Sequence, residues 1–218
     1  MADTALLRAA YGPWLRLAGG LDEATGWHPT RLPGWTVRDL LLHLSTDCQR
    51  ALVALFTPAH AAADTDEVSY WRSWQPGGDE TQSGLRGTRI MASAWSRATG
   101  PADQFAGTAR ALLTALDRAD PDEVICTQGH ALTVAGLAHT LAVEATVHHV
   151  DLADATAETP DDRCLGEVRR VVEALLGCQF PRDWTDERCL LLGTGRQEPT
   201  DAETTALGAV ADRLPAFG

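Results

Sequence analysis

Apolar residues recur at helical intervals along most of the first 156 residues, and this pattern predicts a mainly helical protein. The predicted helices cover residues 4–18, 37–56, roughly 82–98, 101–119 and 131–156. Gly12-Pro13 predicts a kink or a break in the first helix, because proline lacks the amide hydrogen that an interior turn needs. The second helix begins with Thr36 and Asp39, spaced as an N-cap residue and its partner three positions later.

A long polar connection over residues 58–80 interrupts the helical pattern, and it carries Tyr70, Trp71 and Trp74. Structureless connections of this length in a compact domain are usually functional or disordered. The aromatic side chains favour a segment that docks onto the rest of the protein.

The pattern changes after Ala157. A linker, ETPDD, leads to a helix over 164–178, a strand over ERCLLLGTGR (187–196) and a final helix from Thr200 to Leu214. Thr200 and Glu203 at the start of that helix resemble a capping box. We therefore predict an up-and-down helical bundle over 1–157 and a short C-terminal extension over 158–218 with helix, strand and helix, a small α/β tail.

The composition of the chain limits its possible partners and location. The net charge of −12, from 30 acidic and 18 basic residues, argues against nucleic acid as a partner, since phosphate binding needs a basic surface. The five cysteines are scattered and never form a CxxC pair, which is typical of reduced thiols rather than a disulfide scaffold. With neither a secretory signal nor a membrane span in the sequence, we expect a cytoplasmic protein.

The stretch VEATVHHVDL, at residues 143–152, concentrates polar groups in an apolar environment. Glu144 and His148 are four residues apart and Asp151 follows three later, so all three project from one face of a helix, whereas His149 points elsewhere. A carboxylate and an imidazole one turn apart can bind the same divalent metal. The same spacing also occurs on surface helices and in hydrogen-bonded cores.

Two ligands do not complete a metal site, so a third must come from another element. The candidates are His28, His43, His60, His130 and His139. His43 is the best of them, because it lies at the edge of the apolar stripe of the 37–56 helix, where neighbours can orient its ring. A histidine at a helix flank without a ligand role is the alternative.

The segments TRLPGWTVRDLLLHL (30–44) and VEATVHHVDL resemble the metal-binding N-terminal domain of the mycothiol-dependent maleylpyruvate isomerase family, within the DinB-like superfamily. The resemblance implies a DinB-like four-helix bundle and a metal triad of His43, Glu144 and His148. It makes Asp151 a carboxylate that supports the ligands, with a helix cap or an ion-pair partner as the alternative. The studied isomerases have a larger C-terminal domain, whereas about 60 residues follow the bundle here.

The resemblance also implies an enzyme: a metal-dependent transferase or isomerase that uses mycothiol on a small electrophilic molecule. Three protein ligands leave a position open for water, a thiol or a substrate oxygen, and zinc suits them best, with nickel, iron and manganese left open. Two alternatives remain, a hydrolase or lyase that uses metal-bound water, and a non-catalytic metal-binding bundle. The superfamily makes a homodimer an expectation as well.

No catalytic side chain is assigned, but three residues are candidates for substrate binding. Arg196 could pair with a substrate carboxylate through two parallel hydrogen bonds. Tyr70 and Trp74 could form a wall of the pocket. Their alternatives are a solvated turn residue for Arg196 and loop packing for the aromatic rings. Trp35 is expected to anchor its loop to the 37–56 helix.

Overall fold

A computed structural model describes residues 4–74, 79–152 and 155–217, and it is mainly helical. The helices are α1 Ala5–Gly20, α2 Glu23–Gly26, α3 Val37–Ala54, α4 Asp79–Ser93, α5 Thr99–Leu116, α6 Val134–Asp151, α7 Asp162–Leu176, α8 Asp186–Gly193 and α9 Asp201–Leu207. Short 3-10 helices occur at Ser69–Ser73 and Gly208–Arg213. The bundle consists of α1, α3, α5 and α6, in which α3 packs on α5 and α1 packs on both α5 and α6. The predicted mainly helical fold with a four-helix bundle is confirmed.

The bundle core is filled by large side chains from all of its helices. Tyr11 and Trp14 of α1 pack edge-on against Phe105 of α5, with ring centroids 5.7 and 6.4 Å apart. The Trp14 indole also donates a 3.0 Å hydrogen bond to the carbonyl of Ala145 on α6. Burying a tryptophan costs little only when its N–H finds an acceptor, so this bond lets α1 pack closely on α6.

Two features of the bundle helices were predictable from the sequence, whereas the break offered as one alternative at Gly12-Pro13 is absent. The capping box at the start of α3 is present, with the backbone N–H and the hydroxyl of Thr36 each 2.7 Å from Asp39 Oδ2. The first helix is present as predicted, although it ends at Gly20 rather than at residue 18. However, α1 is not broken at Pro13, which lies buried inside it. An interior proline costs about 3 kcal/mol, and the burial of Tyr11 and Trp14 on either side offsets that cost.

A β-hairpin precedes α6 and was not predicted. Strands β1 Val124–Thr127 and β2 His130–Thr133 pair antiparallel, and Gln128 and Gly129 form their turn at φ 49° and 81°. Positive φ at both turn residues matches the twist of a two-residue hairpin. The prediction that the long helix starts at residue 131 is therefore wrong: Thr133 ends β2 and caps α6 by accepting from Gly136 N.

The polar connection after α3 docks onto the bundle as expected. Asp66 accepts hydrogen bonds from the amides of Val68 and Ser69 and so begins the 3-10 helix there. Tyr70 and Trp71 are buried, and Trp71 packs against Phe217 with ring centroids 4.6 Å apart. Residues 75–78 of this connection, like 153 and 154 near the end of the predicted 131–156 helix, lie outside the described residues.

The predicted strand over 187–196 is wrong, because helix α8, Asp186–Gly193, covers most of this segment. Thr185 caps it by accepting from Arg188 N at 3.1 Å, and two acidic residues occupy its first turn. A short apolar run such as Cys189–Leu192 cannot be assigned to strand or helix by periodicity alone. The described part of the tail is helical, so the predicted α/β character is also wrong.

The tail packs on the outer face of α6 through a second apolar cluster. Val143, Val147 and Val150 of α6 meet Val168 and Val172 of α7 there. The capping box of Thr200 and Glu203 is present, although α9 ends at Leu207 and continues as 3-10 helix. The division of the chain at residue 157 remains a prediction. Among the described helices, none combines the length and the apolar character needed to cross a bilayer.

Gly193→Ala tests the packing of α8 on α7. A Cβ at Gly193 would lie 2.5 Å from Val172 Cγ1, so we expect the free energy of unfolding to fall by about 1–3 kcal/mol. Urea denaturation measures it. Gly107→Ala on α5 is the matched control, because its Cβ would meet open space and a helical alanine gains roughly 0.5–1 kcal/mol over glycine. Equal stability of the parent and Gly193→Ala would contradict the close approach of these helices.

Candidate metal centre

Three side chains from two helices, α3 and α6, converge on one point. His43 Nε2, on α3, lies 3.0 Å from Glu144 Oε1, and His148 Nε2, one turn after Glu144 on α6, lies 3.3 Å from the same oxygen. The two imidazole rings are 4.8 Å apart and nearly perpendicular. The structure thus brings together the three residues that the sequence motifs singled out.

The donor set fits a divalent metal. One ligand atom from each of His43, Glu144 and His148 lies within 4.8 Å of the other two. Ligand atoms that each lie about 2.0–2.2 Å from one tetrahedral metal are about 3–4 Å apart, and Glu144 Oε1 lies 3.0 and 3.3 Å from the two imidazole nitrogens. Two imidazole nitrogens and a carboxylate oxygen suit zinc and several other divalent transition metals.

The same contacts set the charge of the triad. Burial raises the pKa of Glu144, but hydrogen bonds with His148 and His43 outweigh burial and hold the pKa well below its ordinary value. Burial lowers the pKa of His148, but hydrogen bonds to Asp151 and Glu144 outweigh it and raise the pKa to about 9. Without a metal, the centre is therefore an imidazolium paired with a carboxylate.

Asp151 and Arg196 hold the far side of His148. Asp151 Oδ2 lies 2.9 Å from His148 Nδ1, which turns Nε2 towards Glu144. Arg196 donates to both Asp151 oxygens, at 3.2 Å from Nε and 3.0 Å from Nη2, and its Nη1 donates to the Thr194 carbonyl at 3.0 Å. Burial raises the pKa of Asp151, but the bonds from His148 and Arg196 outweigh burial and lower it. A carboxylate behind a ligating histidine fixes its tautomer and ring orientation.

Asp47 and Arg50 were not singled out from the sequence, yet both adjoin the triad. Asp47 is one turn after His43 on α3, and its Oδ2 lies 3.5 Å from His43 Nε2. The Asp47 side chain is 2% exposed, and its other oxygen accepts from Arg50 Nη2. Their spacing, i+4 and i+7 from His43, would have placed them on the same helical face as the ligand.

The triad forms part of the wall of a cavity of about 650 Å³. Trp35 closes one side: its ring lies against His43 and His148, at 5.6 and 6.5 Å between centroids, and its Nε1 donates to Leu85 O on α4. Trp35 therefore connects its loop to α4 and to the site, not to α3 alone. The tail contributes Thr194–Arg196 and Phe217 to the wall.

The predicted substrate-binding residues all line this cavity, but they differ in what they contact. Arg196 already forms an ion pair with Asp151. Tyr70 donates its hydroxyl proton to Gln128 Oε1 in the hairpin turn, and burial and the charge of Glu144 raise its pKa. Trp74 is 41% exposed, at the rim. Tyr70 thus packs its loop against the hairpin and also lines the cavity, so its two predicted roles are compatible.

The remaining histidines lie apart from the triad. His149 packs against Trp14 inside the bundle, with ring centroids 5.9 Å apart. His139 pairs with Glu167 on α7 at 3.0 Å. Neither they nor His28, His60 and His130 line the cavity. His43 is therefore the histidine that packing brings from another helix to Glu144 and His148 of α6.

The chain is similar to known proteins over most of its length. A family model described as the mycothiol maleylpyruvate isomerase N-terminal domain matches residues 7–153. A crystal structure of a histidine-to-alanine mutant of mycothiol-dependent maleylpyruvate isomerase matches with a TM-score of 0.52 and 17% sequence identity. The match covers 79% of this chain and 66% of that one, and at this identity it shows the fold alone. No curated protein matches the chain.

We expect metal affinity to depend on pH through His148. Its pKa of about 9 means that Nε2 carries a proton at neutral pH, which a metal must displace. Affinity for zinc should therefore fall about tenfold per pH unit below pH about 9, and binding at pH 7 should release a proton. Calorimetry in buffers of different ionisation enthalpy measures both. Affinity that does not change with pH would contradict the protonated state of His148.

Asp151→Asn should weaken metal binding while leaving the ligands in place. The amide keeps the shape of Asp151 but loses the charge that orients His148, so we expect affinity to fall about 10–100-fold with unchanged stoichiometry. Competition against a chromophoric chelator measures the change above pH about 9, where a proton on His148 no longer competes with the metal in either protein. Asp103→Asn, on the exposed face of α5, removes the same charge elsewhere and should have no effect. Equal affinities in the two variants would show that Asp151 does not support the site.

Proposed function

The chain belongs to the family of the mycothiol maleylpyruvate isomerase N-terminal domain, and we propose that it is a metal-dependent enzyme that uses a low-molecular-weight thiol. In this proposal mycothiol is the cosubstrate, and the reaction is transfer of the thiol to a small electrophilic molecule or thiol-assisted isomerisation of it. The convergence of His43, Glu144 and His148 in a single cavity is the observation that carries the proposal.

His43, Glu144 and His148 would hold the metal, with zinc first by donor type and nickel, iron or manganese as alternatives. A divalent metal lowers the pKa of a thiol that binds to it, which supplies a thiolate nucleophile at neutral pH. Asp151, 2.9 Å from His148 Nδ1, would hold the remaining proton on that nitrogen and leave Nε2 for the metal. The depressed pKa of Glu144 keeps that carboxylate ionised across the neutral range.

The cavity supports a reaction between two small molecules. Its volume of about 650 Å³ lies within the range of about 300–1,000 Å³ that ligand sites usually have. Aromatic and aliphatic side chains, including Trp35, Leu141 and Val147, make most of the wall beside the triad. Such a wall excludes water from a thiolate and so protects the electrophile from hydrolysis.

A hydrolase or lyase that uses water is the second candidate, and Asp47 favours it. One Asp47 oxygen has no hydrogen-bond partner among the described residues and lies 3.5 Å from His43 Nε2. A carboxylate so placed could accept a proton from a water molecule held at the site. Thiol dependence distinguishes this candidate from the first. A cytoplasmic location and a homodimer remain predictions.

The metal content of the purified protein tests the proposal. Elemental mass spectrometry, on protein purified without a chelator or a histidine tag, should find about one equivalent of metal. His43→Ala and His148→Ala should each lose it, whereas His60→Ala, an exposed histidine away from the triad, should keep it. Protein that contains no metal and takes up neither zinc, nickel nor manganese would contradict the triad.

Activity measurements then separate the candidate reactions. With mycothiol and an electrophile such as maleylpyruvate, the parent should turn over only when the thiol is present. His43→Ala should be about a hundredfold slower or worse, since even residues behind the ligands contribute up to that factor. Turnover without any thiol would favour the hydrolase or lyase. A parent that binds metal but transforms no electrophile would favour a non-catalytic bundle.

A further inference from the structure

Arginines at three positions line the described part of the cavity, and they differ in their free hydrogen-bonding capacity. Arg196 donates from all of its nitrogens to Asp151 and Thr194. Arg31 is exposed at the rim. Arg50 bonds to Asp47 through Nη2 and has no other hydrogen-bond partner among the described residues, so Nε and Nη1 remain available to a ligand.

Arg50 lies next to the triad. It is seven residues after His43, so the two side chains project from the same face of α3. Asp47 bridges them: one oxygen accepts from Arg50 and the other lies 3.5 Å from His43 Nε2. The guanidinium is thus one carboxylate group away from a ligand atom. A small molecule bound to Arg50 would place its neighbouring carbons at the triad.

Charge in the cavity indicates what Arg50 binds. Among the described residues that line it, Arg31, Arg50 and Arg196 balance Asp47, Glu144 and Asp151, so the wall is neutral when the histidines are neutral. A divalent metal adds two positive charges. If a thiolate binds to the metal, it cancels one of these two charges and one remains. A charge in a mostly apolar cavity is costly unless it is paired. The charge balance therefore favours a substrate that carries an anionic group.

We propose that Arg50 determines substrate specificity by binding an anionic oxygen group of the substrate, a carboxylate or its equivalent, beside the metal triad. The inference rests on the proposed function for the identity of the reaction, but the anion site itself can be tested without turnover. Asp47 acts as the positioning residue, because it holds the guanidinium against α3 and leaves one edge for the ligand. Arginine matches carboxylates with paired hydrogen bonds that lysine cannot supply.

Benzoate and benzamide form a suitable pair of probes, since they have the same shape and only benzoate is charged. Binding to the full chain, purified as in the metal assay, is measured by calorimetry or ligand-observed NMR. In the parent, benzoate should bind more tightly than benzamide. Arg50→Gln should weaken benzoate binding about tenfold or more, the usual worth of hydrogen bonds to a charged group, and leave benzamide within about twofold.

Two further variants keep the experiment decisive. Arg50→Lys preserves a positive charge beside the buried Asp47 and should fold even where Arg50→Gln does not. It should still lose several-fold in benzoate affinity, because one ammonium cannot replace the guanidinium edge. Arg110→Gln, an exposed arginine on α5 outside the cavity, removes the same charge and should bind both probes like the parent. Metal stoichiometry should be unchanged in all three.

Failure of this inference is distinct from failure of the proposed function. Equal benzoate affinity in the parent, Arg50→Lys and Arg50→Gln would overturn the role of Arg50, even if metal and thiol dependence are found. Benzoate binding that depends on Arg50 in a protein that takes up no metal would support the anion site and leave the metal-dependent reaction without support.

Discussion

Glu144 places a carboxylate on the face of α6 that lines the cavity. The polar side chains around it are arranged so that this negative charge is paired. Glu144 Oε1 contacts both His43 and His148, which ties α3 to α6. The Glu144 side chain is 27% exposed, and a carboxylate so largely removed from water is costly unless it is paired. Partners on two helices remove that cost only if the helices keep their relative position, so the polar contact specifies the packing.

The charges continue on both sides of the triad as one connected chain. On one side, His148 leads to Asp151 and then to Arg196 in the tail. On the other, His43 leads to Asp47 and Arg50 along α3. Each member has an oppositely charged or hydrogen-bonding neighbour, and such a network limits the movement of its side chains. A metal at the triad would thus bind to side chains that are already oriented.

The short tail contributes to the cavity wall. Apolar residues of α7 and α8 cover the outer face of α6, while the loop after α8 turns back and brings Arg196 to Asp151. Phe217 reaches the same wall and packs on Trp71 of the connection after α3. The cavity is therefore assembled from segments distant in the chain, and its shape depends on their docking.

Local signals in the sequence were read correctly where they act over a few residues. Capping pairs at Thr36 and Thr200 fixed helix starts, and helical spacing put Glu144, His148 and Asp151 on one face. Signals failed where several local structures were compatible with one pattern. The apolar run of α8 suits a strand as well as a helix, and the hairpin before α6 is marked by little more than Gly129.

By itself, then, the sequence determined the bundle helices, their apolar faces and, through family motifs, the residues of the triad, because periodicity and caps depend on neighbours three or four positions away. Tertiary structure alone decided that Arg196 bonds to Asp151, that Trp35 covers the triad and that Asp47 holds Arg50 beside it. Those contacts join segments whose approach depends on how the whole core packs, and no local spacing encodes that approach.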